Sequence, residues 1–238
     1  IAGMAVDSIE QKIPELAPYI RRYDFVVAQD GSGDFFTLQR AIDAVPTFSK
    51  EPVTIYVRNG VYKEKITVPG NRTNIHIIGE DADKVVFTYD DYASKKNAVG
   101  NETGTSGSAS FYVYGDGFKA ENVTFENSAG PVGQAVALFV AADKCIFKNC
   151  KIKGFQDTLY TYGEGTRQYY ENCYIEGTTD FIFGKATAWF EGCTIHSKQN
   201  SYVTAASTAR ENPFGYVFHN CRLTAADDVN KVYLGRPW

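Results

Sequence analysis

Long apolar runs are absent from this chain of 238 residues, so no segment reads as a membrane-spanning helix. The N-terminal IAGMAVDSIEQ lacks the basic start and apolar centre of a signal peptide, so any export signal is expected to have been removed. Lysine and arginine form no long cluster and the net charge is -4, which excludes a basic nucleic-acid surface. The five cysteines (Cys145, Cys150, Cys173, Cys193 and Cys221) contain no CxxC pair and no neighbouring histidine pattern, which argues against a zinc site. Their odd number also suits a disulfide framework poorly. Methionine occurs once and leucine is scarce. What the chain has instead is 16 Tyr and 16 Phe, side chains that favour strands, within a globular composition of 44% hydrophobic and 22% charged residues. At this length one all-β domain is the expectation.

The cysteines mark an internal repeat. FKNCKI (147–152), YENCYI (170–175), FEGCTI (190–195) and FHNCRL (218–223) share the pattern aromatic, polar, Asn or Gly, Cys, polar, aliphatic. KAENVTF (119–125) fits the same frame with Val123 in the cysteine position, and from Val123 the steps are 27, 23, 20 and 28 residues. Such steps suit one turn of a β-solenoid whose coils pair in parallel with the coils above and below. Strict alternation predicts that Phe147, Asn149 and Lys151 point one way and Lys148, Cys150 and Ile152 the other. Cys150, Cys173, Cys193 and Cys221 then stack as an inward ladder of small hydrophobes. VTIYV (53–57), KITV (65–68), NIHIIG (74–79) and KVVFTY (84–89) extend the solenoid toward the N-terminus. In TLQRAIDAV, Leu38, Ala41, Ile42 and Val45 have helical spacing behind Thr37 at the N-cap position, which predicts a helix covering the first coil.

The repeat gives meaning to two aspartates. Asp157 follows Cys150 by seven residues, and Asp180 follows Cys173 by the same offset. In-register coils therefore bring the two carboxylates to equivalent positions on adjacent strands, about 4.8 Å apart. Like charges so close raise one pKa, leaving a nucleophile or base beside an acid. Seven residues after Cys193 stands Asn200, so the carboxylates are a local pair within the repeat. A ladder of polar turn residues is the alternative. Gln134 reads as a strand-end amide, Gln156 adjoins Asp157, and Arg236 and Trp238 close the chain in YLGRPW, where Pro237 keeps Arg236 extended.

GFQDTLY, GTTDFIFG, GQAVAL and LGRPW together resemble the pectin methylesterases, or pectinesterases, a carbohydrate esterase family. DGSGDFFTLQRAIDAVP, GVYKEKITVP, GTSGSASFYVYGDGF and FENSAG add to the likeness, which runs from Asp30 to Trp238 and leaves 1–29 as an N-terminal segment. The style of ASKKNAVGNETGTSGSAS and YVTAAST looks closer to bacterial members than to plant ones. The resemblance implies a right-handed parallel β-helix that hydrolyses the galacturonate methyl esters of pectin to pectate and methanol. Residue by residue, it implies Asp180 as nucleophile, Asp157 as acid/base, Gln134 and Gln156 as oxyanion-stabilising amides, and Arg236 as the residue orienting the nucleophile. It also implies substrate contacts at Thr105, Gln134, Tyr160, Phe181, Arg236 and Trp238. No metal or organic cofactor is expected. The expected partner is methyl-esterified homogalacturonan, bound by a monomer that is secreted, periplasmic or at the cell surface. Members usually continue for several coils beyond LGRPW, so a C-terminally incomplete polypeptide is expected. Two other readings keep the β-helix: a polysaccharide-binding or inactive fragment, and a pectin-chain hydrolase. The hydrolase would call for histidine beside the aspartates, and His76, His196 and His219 are distant from them in sequence.

Overall fold

The computed structural model describes residues 22–238. The first 21 residues of the predicted N-terminal segment lie outside the described residues. The chain is a parallel β-helix in which successive strands pass in turn to three sheets, and among the described residues the strands of each sheet pair in parallel. Among the described residues the first sheet has eight strands, from Phe25–Val27 and Val53–Val57 to Thr187–Glu191 and Tyr216–His219. The second has seven, from Gly60–Lys63 to Arg222–Ala225, and the third seven, from Ile66–Val68 to Tyr233–Pro237. Because Phe25–Val27 pairs with Ile55–Val57, the solenoid begins ahead of residue 30.

The repeat steps are the register of the second sheet. Lys151 pairs with Thr124 and with Tyr174, Tyr174 with Thr194, and Thr194 with Arg222, reproducing the offsets of 27, 23, 20 and 28. One expectation is corrected. Phe147 and Cys150 are both buried, with Asn149 exposed between them, so strict alternation fails across the repeat. The cause is a left-handed residue at the corner from the first sheet to the second: Asn122, Asn149, Asn172, Gly192 and Asn220 have φ of 56°, 51°, 52°, 60° and 53°. Asn and Gly tolerate this conformation best, which explains why the repeat places them there.

Inside the coil, Phe147, Tyr170, Phe190 and Phe218 stack nearly face to face with centroids 4.9, 4.8 and 4.7 Å apart, the spacing of paired strands. The cysteine ladder is present beside them. Each Sγ contacts a carbonyl of the preceding coil: Cys150 to Ala120, Cys173 to Phe147, Cys193 to Tyr170 and Cys221 to Phe190. All five thiols are free, and burial pushes Cys173 well above its ordinary range, the behaviour of packing groups and not of nucleophiles.

The predicted helix spans Leu38–Ala44 and buries Leu38, Ala41 and Ile42. Thr37 occupies the N-cap position but its side chain caps nothing. The Glu64 carboxylate does this instead, accepting the Leu38 and Gln39 amides at 3.1 and 3.2 Å. Gln39 in turn bonds both the amide and the carbonyl of Thr67, satisfying part of the exposed edge of the third sheet.

Candidate active site

Both aspartates lie at the corner from the second sheet to the third, where each chain segment leaves one face and enters the next. Leu159 pairs with Ile182 at an offset of 23, so Asp157 and Asp180 stand side by side on adjacent coils. Asp157 adopts φ 64° and Asp180 φ 49°, a left-handed turn that short polar side chains tolerate. The glycine that precedes each aspartate has a packing reason. A Cβ at Gly154 would come within 2.7 Å of Thr158 Oγ1, and one at Gly177 within 2.2 Å of Phe181 Cβ and 2.6 Å of the Phe155 carbonyl oxygen.

The two carboxylates have different surroundings. They are 8% and 7% exposed. Arg236 grips Asp180 with both ends of its guanidinium: Nε donates to Oδ1 at 3.0 Å and Nη2 to Oδ2. This pairing raises the Arg236 pKa. Among the described residues no cation forms an ion pair with Asp157. Burial, then the neighbouring Asp180 charge, pushes Asp157 up to about 7, with Arg236 partly offsetting the rise. The pair therefore offers one carboxyl that holds a proton near neutrality beside one oriented by a fixed cation.

Gln134 and Gln156 are brought together as well, bridged in parallel on consecutive coils. Gln156 is half-buried and its carbonyl accepts the Ala135 amide at 3.1 Å; Gln134 is exposed. The outward column of the third sheet runs Tyr112, Phe139, Tyr160, Phe183, Ala205, Arg236. Tyr160 stacks on Phe183 with centroids 4.1 Å apart, and Trp238 meets both rings edge-on at 6.1 and 5.6 Å. Trp238 is 61% exposed, so its ring extends this aromatic surface toward solvent. Thr105 sits half-buried beside Ser106 in a turn, and its carbonyl accepts the Ser108 hydroxyl at 2.7 Å.

Phe181 does not join the site. It is fully buried among the interior side chains, because the left-handed Asp180 turns the next residue inward, so its expected substrate contact is replaced by a packing role. Asn200 is also displaced from the equivalent position. Ile182 pairs with Thr204 at an offset of 22, and the Asp180 amide donates to the Tyr202 carbonyl at 2.8 Å, so Tyr202 is the neighbour on the next coil. The Asn200 side chain instead accepts the Asn230 and Lys231 amides. Tyr112, Phe139, Phe183 and Tyr202 were missed by the sequence reading. The three-residue step from Asp157 to Tyr160, repeated from Asp180 to Phe183, is the signal that could have found Phe183.

The Pectinesterase family model matches residues 24–238. Pectinesterase 31 of Arabidopsis thaliana is 43% identical over 220 residues, covering 89% of this chain and 68% of the relative. The probable pectinesterase/pectinesterase inhibitor 13 of the same plant is 41% identical over 89% of this chain, which spans 35% of that longer relative. Among solved structures, the carrot pectin methylesterase superposes with a TM-score of 0.81 at 38% identity, covering 91% of this chain and 69% of that one. Pectin methylesterase PemA from Erwinia chrysanthemi superposes with a TM-score of 0.85 at 32% identity, covering 92% and 72%. Identity to these plant proteins thus exceeds identity to this bacterial one, against the leaning of the sequence style. Fold and sequence likeness agree, and the chain belongs to the pectinesterase family.

Proposed function

We propose that this protein demethylates pectin, with Asp180 as nucleophile and Asp157 as general acid and then base. The observation that carries the reading is the buried pair itself, one carboxylate clamped by Arg236 and the other protonated near neutral pH. Ionised Asp180 attacks the galacturonate ester carbonyl, and the carbonyl electron pair moves onto oxygen. The amide N–H groups of Gln134 and Gln156 stabilise that oxyanion. On collapse the C–O bond to methoxide breaks, Asp157 gives its proton to the departing methanol, and an acyl anhydride remains on Asp180. Asp157, now ionised, takes a proton from water, and the resulting hydroxide attacks the anhydride to free the Asp180 carboxylate and galacturonic acid, which loses its proton to solvent. The column from Tyr112 to Phe183, with Trp238, supplies flat faces against which sugar rings can stack.

The histidines lend no support to a pectin-chain hydrolase. His76 pairs with Glu121, His196 with Thr224 and His219 with Glu191, all on the first or second sheet and away from the aspartates. A pectin substrate places the enzyme outside the cell, and no helix among the described residues is long and apolar enough to cross a membrane. The test is methanol release from methyl-esterified homogalacturonan, measured alongside new reducing ends. Methanol without reducing ends is expected, and Asp180→Asn should lower the rate by about a thousandfold or more. Reducing ends from the purified protein point to the hydrolase, and full turnover by Asp180→Asn removes the nucleophile assignment.

A further inference from the structure

We infer that Tyr202 is a positioning residue for the nucleophile, acting through Arg236; the inference rests on the esterase reading above. The guanidinium carbon of Arg236 lies 5.1 Å from the Tyr202 ring centroid, while the same guanidinium grips Asp180. A planar cation over an aromatic face is attracted by the ring quadrupole and loses freedom to rotate away. That freedom matters here because the Arg236 side chain is 48% exposed while its carboxylate partner is 10% exposed, so water competes for the arginine on its open side.

Tyr202 is itself held from two directions. Its ring stacks on Tyr233, its register partner, with centroids 5.1 Å apart and planes 26° from parallel. Its carbonyl accepts the Asp180 amide at 2.8 Å. One residue therefore fixes the backbone of the nucleophile and the face of the cation that orients it. The backbone contact survives any substitution, so side-chain variants isolate the role of the ring.

The experiment is a double-mutant cycle on the full chain, with methanol release read as separate kcat and KM values and thermal unfolding read in parallel. Tyr202→Leu and Tyr202→Thr, both compatible with a strand, should lower kcat roughly three- to tenfold with KM little changed. Tyr202→Phe, which keeps the ring face, should restore most of that loss. In an Arg236→Ala background the Tyr202 substitutions should have no further effect, because the group through which the ring acts is gone. Losses that multiply with Arg236→Ala, failure of Phe to restore turnover, or losses that only follow the unfolding temperature would each overturn the inference. Asp180→Asn separates the layers: if it still releases methanol at the parent rate the nucleophile assignment fails and the Tyr202 inference with it, whereas an inactive Asp180→Asn with a fully active Tyr202→Leu sinks the Tyr202 role alone.

Discussion

Asp157 and Asp180 have the same side chain and the same corner geometry, yet their surroundings assign them different work. Asp157 is raised to about 7 from an ordinary 3.8, chiefly by burial. The folded protein therefore keeps a proton that the unfolded chain has already released, so this group makes stability fall as pH rises from 3.8 to about 7. Asp157→Asn removes the titration. Its unfolding temperature should exceed that of the parent above pH 7 by an amount on the order of a few kcal/mol of stability, with little gain at pH 4. Scanning calorimetry at the two pH values checks the sign, and a gain at pH 4 alone would show that burial is not the cause. In the proposed mechanism the same proton governs catalysis. Methanol must be protonated as it leaves, so kcat/KM should decline as pH rises through about 7. A kcat/KM that stays flat well past that pH would remove Asp157 as the acid.

At the scale of elements, the corners carry both the fold and the proposed chemistry. Gln134, Gln156, Asp157 and Asp180 all lie where the second sheet hands the chain to the third, and the long segment containing Thr105 and Ser106 is inserted at the same corner one coil earlier. Gly177 permits the turn before Asp180 because its missing side chain leaves room for Phe181 and for the Phe155 carbonyl. Gly177→Ala should cost about 1–3 kcal/mol of stability and lower turnover as well, since the strand must shift next to the nucleophile. Asn149 does the corresponding job at the corner from the first sheet to the second, with φ 51°. Asn149→Ala should cost about 1–2 kcal/mol while Asn149→Gly costs little, and neither should alter KM. Denaturant midpoints compared across these variants separate a backbone requirement from a side-chain one.

For the whole molecule, backbone pairing joins each coil to its neighbours, while the proposed site draws on five successive coils through Gln134, Asp157, Asp180, Tyr202 and Arg236. Site geometry is therefore as good as the stacking of the interior. Phe190 lies between Tyr170 and Phe218 in the aromatic ladder and is fully buried. Phe190→Ala should cost about 3–5 kcal/mol and lower activity although the residue touches no proposed site group. Unchanged kinetics at full destabilisation would show the corner to be independent of the core. The free cysteines provide the opposite check: a thiol-blocking reagent should leave the native enzyme active, because Cys150, Cys173 and Cys193 are buried in the ladder.

Much of this was legible in the linear chain because a solenoid converts sequence period into spatial register. The steps between the Asn/Gly–Cys corners are the pairing offsets, so the adjacency of Asp157 and Asp180 followed from counting residues. The helix over the first coil was equally plain in the spacing of Leu38, Ala41 and Ile42. What counting could not supply were the places where the period slips or the backbone turns left-handed. An offset of 22 in the third sheet against 20 in the second put Tyr202 and not Asn200 beside Asp180, and a positive φ at Asp180 sent Phe181 into the core. Local sequence determined the coils and their order, because strand pairing follows the repeat. Tertiary structure alone decided which carboxylate keeps its proton, because that depends on burial and on an arginine 56 residues away in the chain.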